Sequence, residues 1–275
     1  MPIAPKRPPT TKPADSVQHL NMLVYGGTGV GKTHLVGTMA KDPAFGKILM
    51  LCPDPGTLTL AFDEDANRQI EIAKVSSVSD FDAWYEYLKV ENPKTNEFQT
   101  LVIDGFTDVG ELALREALDD AHDKDSNRDP NLPEIADWNK TGIQTRRIVR
   151  WFRDLPMMFV GTALAKEVTD VNGAIYITPS LPGKLAAELG AYVDIIGYLY
   201  ADVEGPKEDR KVVRKLRTER TDKIQAKDRT RRLPSVISNP TMPELLYMLK
   251  NNPQRDAGLT NDLDIKMKKA QIKGK

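Results

Sequence analysis

A single cysteine, Cys52, rules out any internal disulfide in this chain of 275 residues. It follows the apolar run Lys47-Ile-Leu-Met-Leu51, where burial is expected, and a reducing cytoplasm is its natural setting. No apolar run reaches the length that spans a bilayer, and the opening MPIAPKRPPTTKPADS has no apolar signal core, so no membrane partner is expected. Net charge is missing too, because 39 Lys and Arg offset 39 Asp and Glu. Charge therefore matters only through its distribution.

That distribution is uneven. Acids dominate from Asp104 to Asp137, and bases dominate from Arg210 to Arg232. The plain reading of both runs is a solvated face; the sharper one sets one protomer's basic segment against a neighbour's acidic one, or against a nucleic-acid backbone.

Against these absences stands YGGTGVGKTHL, Tyr25 to Leu35, which packs four glycines, a lysine and a threonine just after Met22-Leu23-Val24. The spacing Gly26-x-x-x-x-Gly31-Lys32-Thr33 fits the phosphate-binding loop that joins a strand to a helix. Bare backbone at Gly26, Gly27, Gly29 and Gly31 lets successive N–H groups, with those of Thr28 and Val30, curl round a polyphosphate. The following helix adds the positive end of its dipole. Lys32 is expected to reach the β- and γ-phosphates, and the Thr33 hydroxyl to hold Mg²⁺. His34 continues the helix on a face near the nucleotide. A mere glycine-rich turn leaves the eight-residue pattern unexplained.

Helical periodicity runs on to about Ala40, and Ile48 to Leu51 is expected as a buried strand. Gln69 to Val75 forms another, and Ser79 is placed to cap a helix carrying Phe81, Trp84, Tyr85 and Leu88. FQTLVIDG is an apolar strand ending in Asp104, followed by a helix through Leu112, Leu114 and Leu118 and a polar segment from Asp119 to Asp137. Thr141 to Leu155 returns to helical spacing, MMFVGTAL is again a strand, and Trp84, Trp151 and Phe152 are expected in the core. Strands alternating with helices predict an α/β fold, a mainly parallel sheet covered on both faces.

Asp104, at the end of its strand, is placed to coordinate Mg²⁺ or to hold the ion's water. It is followed by Gly105, not by Glu, so the water-polarising carboxylate that many hydrolytic ATPases carry there must come from elsewhere. Asp54, at the tip of the second strand, is the first choice, and Asp108, one turn beyond Asp104, is the reserve. A turn-forming role between Pro53 and Pro55 accounts for Asp54 almost as well.

The order of phosphate loop, strand with terminal acid, aspartate strand, long polar loop, helix and MMFVGTA resembles the RecA-like recombinase core. LPGKLAAELGAYVDIIGYLY is similar to that family's glycine-bearing return from a DNA-binding loop into a helix and strand. IQAKDRTRRLP is similar to the Lys-x-Arg motif of hexameric RecA-like helicases and related ATPases. The likeness, from about Leu20 to Leu249, is to short phage-encoded ATPases of single-strand annealing and recombination. It implies a P-loop NTPase with a RecA-like mainly parallel sheet, Mg²⁺-ATP as ligand, and Asp54 in the catalytic carboxylate position. It also implies a homo-oligomeric ring or filament in which Lys227 and Arg229 reach the nucleotide of the adjacent subunit. Lys215 and Arg217, on the preceding strand, are rivals for that role. Two departures are Asp54 where the family carries Glu, and Gly161-Thr162-Ala163 where a polar sensor usually ends the strand; Thr162 would be a shorter sensor.

The resemblance further implies single-stranded DNA as partner, met by loops at about Asp119–Asp137 and Lys166–Lys184. The first is acidic and poorly equipped for phosphates, since affinity for that backbone comes largely from Lys and Arg. Contact would then fall to Lys184, to the helix bearing Arg146, Arg147, Arg150 and Arg153, or to the termini. The expected organisation is a Pro- and Lys-rich arm over 1–18, an ATPase domain over 19–250 and a basic tail over 251–275. A phage-encoded chain would work in the host cytoplasm. Two rival functions remain, a nucleotide-gated interaction protein with little turnover and a helicase- or packaging-type motor. No Asn-Lys-x-Asp guanine reader is present, which favours ATP, and no Arg-rich lid points to a small-molecule kinase.

Overall fold

The computed structural model describes residues 10, 19–54, 56–169, 173–206 and 210–251. β1 (Asn21–Gly26) leads through the glycine loop into α1 (Lys32–Gly37), which tightens into a 3-10 turn over Thr38–Lys41. β2 (Ile48–Cys52), α2 (Glu64–Gln69), β3 (Ile70–Lys74), α3 (Val78–Val90) and α4 (Asn92–Thr95) precede β4 (Thr100–Asp104). Two long helices follow, α5 (Phe106–Lys124) and α6 (Ile135–Arg153), then β5 (Met158–Thr169), β6 (Ile175–Pro179) and α7 (Leu185–Tyr192). β7 (Ile195–Glu204), β8 (Lys211–Arg217), β9 (Lys227–Asp228), β10 (Val236–Ser238) and α8 (Met242–Asn251) complete the order.

Among the described residues the strands form one sheet of ten, in the order β10-β8-β7-β1-β5-β4-β2-β3, with β6 beside β5 and β9 beside β7. From β7 to β3 every neighbour on that path is parallel, whereas β8 and β10 extend the sheet by antiparallel pairing. This is the expected α/β fold of a P-loop NTPase.

Strand β1 shows why. A strand in the middle of a parallel sheet is covered on both faces, so its side chains alternate between two cores rather than between core and water. Met22 and Val24 pack with Leu35, Val36 and Met39 and with Leu245 and Leu249 of α8, while Leu23 and Tyr25 meet Phe81, Phe106 and Phe152 on the other side. Full burial of each such side chain contributes about 1.5–3 kcal/mol. The loop after β1 is thereby anchored from both faces.

Four local expectations are corrected. Ser77, not Ser79, caps α3: its hydroxyl accepts from Asp80 N at 3.2 Å, and the Asp80 carboxylate accepts from Ser77 N at 3.0 Å. Starting the helix at Val78 buries that valine. The polar segment Asp119–Asp137 is helical at both ends, because α5 runs to Lys124 and α6 begins at Ile135. Pairs between the two helices and with their connection stabilise the arrangement: Gln144 Nε2 donates to Glu116 Oε1 at 2.7 Å, Lys140 pairs with Asp120, and Arg128 of the connection pairs with the buried Asp137. Lys166–Lys184 contains a β-hairpin rather than an open loop, with Thr169 opposite Ile175. Phe152 is buried as expected, but Trp84 and Trp151 are only half-buried, Trp151 stacking on Tyr85 at 4.6 Å.

The arm expected over 1–18 and the tail over 251–275 lie outside the described residues, apart from Thr10 and Asn251. No described helix is long and apolar enough to cross a membrane.

Candidate functional site

The phosphate loop sits at the carboxyl edge of the sheet, where Gly26 lies level with Leu164 of β5 and Leu199 of β7. Ligands of open α/β sheets bind outside that edge. Gly31 begins α1 with φ of 101°, a left-handed conformation that a side chain would strain. Lys32 Nζ curls back over the loop and donates to Gly26 O at 3.1 Å and Gly27 O at 2.9 Å. Burial pushes its ammonium below the ordinary value, and the charges of Asp104 and Asp108 oppose that fall. Beside the loop opens a cleft of about 590 Å³, which Thr28, Gly29, Gly31, Lys32, Thr33 and the exposed His34 help to line.

Asp104 faces the same cleft from the end of β4. Its Oδ2 accepts the Thr33 hydroxyl at 2.8 Å, and its Oδ1 accepts that of Thr162 at 2.5 Å. A hydroxyl and a carboxylate side by side are hard oxygen donors, the kind that suits Mg²⁺. The pair fits the ion: Thr33 and Asp104 would hold it, and Lys32 would extend to the phosphates. When bound, Mg²⁺ neutralises charge on the β- and γ-oxygens. Parallel pairing sets Thr162 directly opposite Asp104, so its hydroxyl is engaged with that carboxylate.

Two further carboxylates line the cleft, Asp54 after β2 and Asp108 in the first turn of α5. Gly105, the N-cap of α5, has φ of 117°. Burial, followed by the nearby charge of Asp54, raises the Asp108 carboxyl above its ordinary value. The site thus gathers Lys32, Thr33, Asp54, Asp104 and Asp108.

It does not gather Lys227 and Arg229 from the same chain. Lys227 pairs with Ile196, which lies beside Leu23, three residues and about 10 Å down the strand from Gly26. Lys227 Nζ caps the end of α7, donating to Gly190 O and, at 3.1 Å, to Val193 O. Burial, then the charge of Arg229, holds its ammonium below the usual value. Arg229 Nη1 binds Asp194 Oδ1 at 2.9 Å. Of the rivals, Lys215 is paired with both Asp202 and Glu204, at 2.7 and 2.6 Å. The sequence reading missed Arg214, whose Nε donates to Val30 O at 3.0 Å. Its place in a basic run was visible, but alternation along β8 alone could not show which bases face the loop.

The arginines of α6 are largely engaged within the chain. Arg146 meets Glu188 at 2.9 Å, Arg147 meets Asp82 at 2.9 Å, and Arg153 meets Asp154 at 2.5 Å. Lys166 Nζ donates to Leu181 O at 3.1 Å.

Comparison with known proteins agrees with this geometry. No curated protein matches the chain. The family described as AAA domain matches residues 18–230, most of the sequence and the whole of the site. The chain belongs to the AAA domain family and is a nucleotide-binding P-loop ATPase.

Proposed function

We propose that this ATPase binds Mg²⁺-ATP and hydrolyses it at boundaries between copies of itself, on single-stranded DNA, in phage recombination, annealing or replication. The observation that carries the ATP half is the convergence on Asp104 of the Thr33 and Thr162 hydroxyls beside Lys32. Lys32 holds the phosphates, Thr33 and Asp104 hold the metal, and Asp54 or Asp108 orients the attacking water. Arg229, more exposed than Lys227, is the better placed of the two to meet a neighbour's nucleotide. The DNA half rests on the resemblance to phage recombination ATPases.

A second reading has an observation in its favour. With Arg146, Arg147 and Arg153 paired to acids of the same chain, the helix expected to meet DNA is largely neutralised. That favours a nucleotide-gated interaction protein, in which binding rather than turnover controls assembly.

ATP hydrolysis measured with and without single-stranded DNA separates the two. Lys32→Ala supplies the blank, and Arg229→Ala mixed with the unaltered protein tests action across subunits. DNA-stimulated turnover, lost in Lys32→Ala and poisoned by the Arg229 variant, supports the first reading. Turnover indifferent to DNA removes it in favour of the second.

A further inference from the structure

Arg214 reaches the phosphate loop from a strand that the loop's own sequence gives no hint of. β7 runs past the level at which β1 ends, and β8 returns antiparallel with Leu216 opposite Leu199 and Arg214 opposite Ala201. Arg214 therefore stands two residues, about 7 Å, beyond the carboxyl edge of the sheet. Alternation turns it to the opposite face from Lys215, which two carboxylates hold.

The contact is close. Nε of Arg214 donates to Val30 O at 3.0 Å, and a β-carbon on Gly31 would lie only 2.9 Å from that nitrogen. The backbone beneath it is held as well: Asn239 N donates to Arg214 O at 2.6 Å, and Arg214 N to Asn239 Oδ1 at 3.3 Å. A guanidinium carries five N–H donors. One is used on Val30, and among the described residues no carboxylate pairs with this side chain, although it lines the same cleft as Lys32 and Asp104. A cation is thus held against an anion-binding loop with most of its donors unused.

We propose that Arg214 is a nucleotide-binding residue acting within its own subunit. Its terminal nitrogens hydrogen-bond the polyphosphate of a nucleoside triphosphate, and the β7–β8 hairpin is thereby drawn onto the loop when triphosphate is present. The inference rests on the loop being a nucleotide site and extends it, since Lys227 and Arg229 were expected to act only across a subunit boundary. A guanidinium suits the task because its planar fork matches phosphate oxygens.

The test is the affinity of the full chain for ATP and ADP by titration calorimetry, for the unaltered protein and for Arg214→Ala, Arg214→Gln, Arg214→Lys and Lys32→Ala. Hydrogen exchange over residues 198–217 is followed alongside. Arg214 is exposed, so the variants are expected to fold. The expected result is a loss of ATP affinity of about ten- to a hundredfold in Arg214→Ala, with a smaller loss for ADP. Arg214→Gln should be as weak, and Arg214→Lys should recover part of the affinity. ATP should slow exchange in the hairpin of the unaltered protein and not in Arg214→Ala. Full affinity in Arg214→Gln would mean that the side chain only bridges to Val30, and would overturn the proposal. So would unchanged affinity in Arg214→Ala while Lys32→Ala loses it. Undiminished ATP binding in Lys32→Ala would remove the nucleotide-site reading itself, and this proposal with it.

Discussion

The Asp108 carboxylate stands beside the place where a side chain on Gly105 would begin, its Oδ2 lying 2.6 Å from the position of a β-carbon there. Gly105 also has φ of 117°, so two constraints meet at one residue. Gly105→Ala is expected to cost about 1–2 kcal/mol for the left-handed backbone and to displace the carboxylate. Because a carboxylate can swing aside and a backbone cannot, most of the loss should persist in Gly105→Ala/Asp108→Ala. Urea denaturation of the unaltered protein and the two variants checks this; full recovery in the double variant would place the strain in the contact instead.

Asp108 itself should show a pH signature. Its carboxyl is raised by burial and by Asp54, so the folded state holds the proton more tightly than the unfolded one. Its contribution is most favourable in acid and is lost as pH rises through the folded pKa, above the ordinary 3.8. Asp108→Asn should therefore melt higher than the unaltered protein at pH 7, and the two should converge as the pH approaches that of free aspartate. A gap that widened in acid would contradict the assignment.

Lys227 should matter for stability before any partner is added. Removing its ammonium leaves Gly190 O and Val193 O without their donor at the end of α7. Lys227→Met is expected to lose about 1–3 kcal/mol in the dilute, nucleotide-free protein. A variant with unaltered melting but lost hydrolysis would return Lys227 to a role across the subunit boundary.

Cys52 should be inert in the native state. It is buried in the sheet, and burial, with Asp104 and Asp54 nearby, pushes its thiol up to about 12. A thiol reagent at pH 8 should label it only after denaturation, because the thiolate is the reactive form. Rapid native labelling would show that the end of β2 opens.

Much of the fold was legible because it is written in local pattern. A parallel strand buried on both faces must be apolar throughout, so β1, β2 and β4 stand out as short uninterrupted runs. The loop was legible for a related reason: one continuous stretch of backbone supplies Gly26 to Thr33, and its glycine spacing is itself the signal. The place of Asp104 at the edge of the cleft was legible from its position at the end of such a run. The helix boundaries at Ser77, Lys124 and Ile135 were less legible, since they depend on what each added turn can bury or pair with across the structure.

Sequence by itself determined the phosphate loop, the aspartate strand and the alternation that makes the sheet mainly parallel, because these rest on contacts between near neighbours and on which residues tolerate burial. Tertiary structure alone decided which charged groups face the cleft. Arg214 and Val30 are 184 residues apart, and only the register of β8 against β7 brings them together while turning Lys215 away. Strand register follows from pairing between distant segments, and a shift of one residue would exchange the two faces.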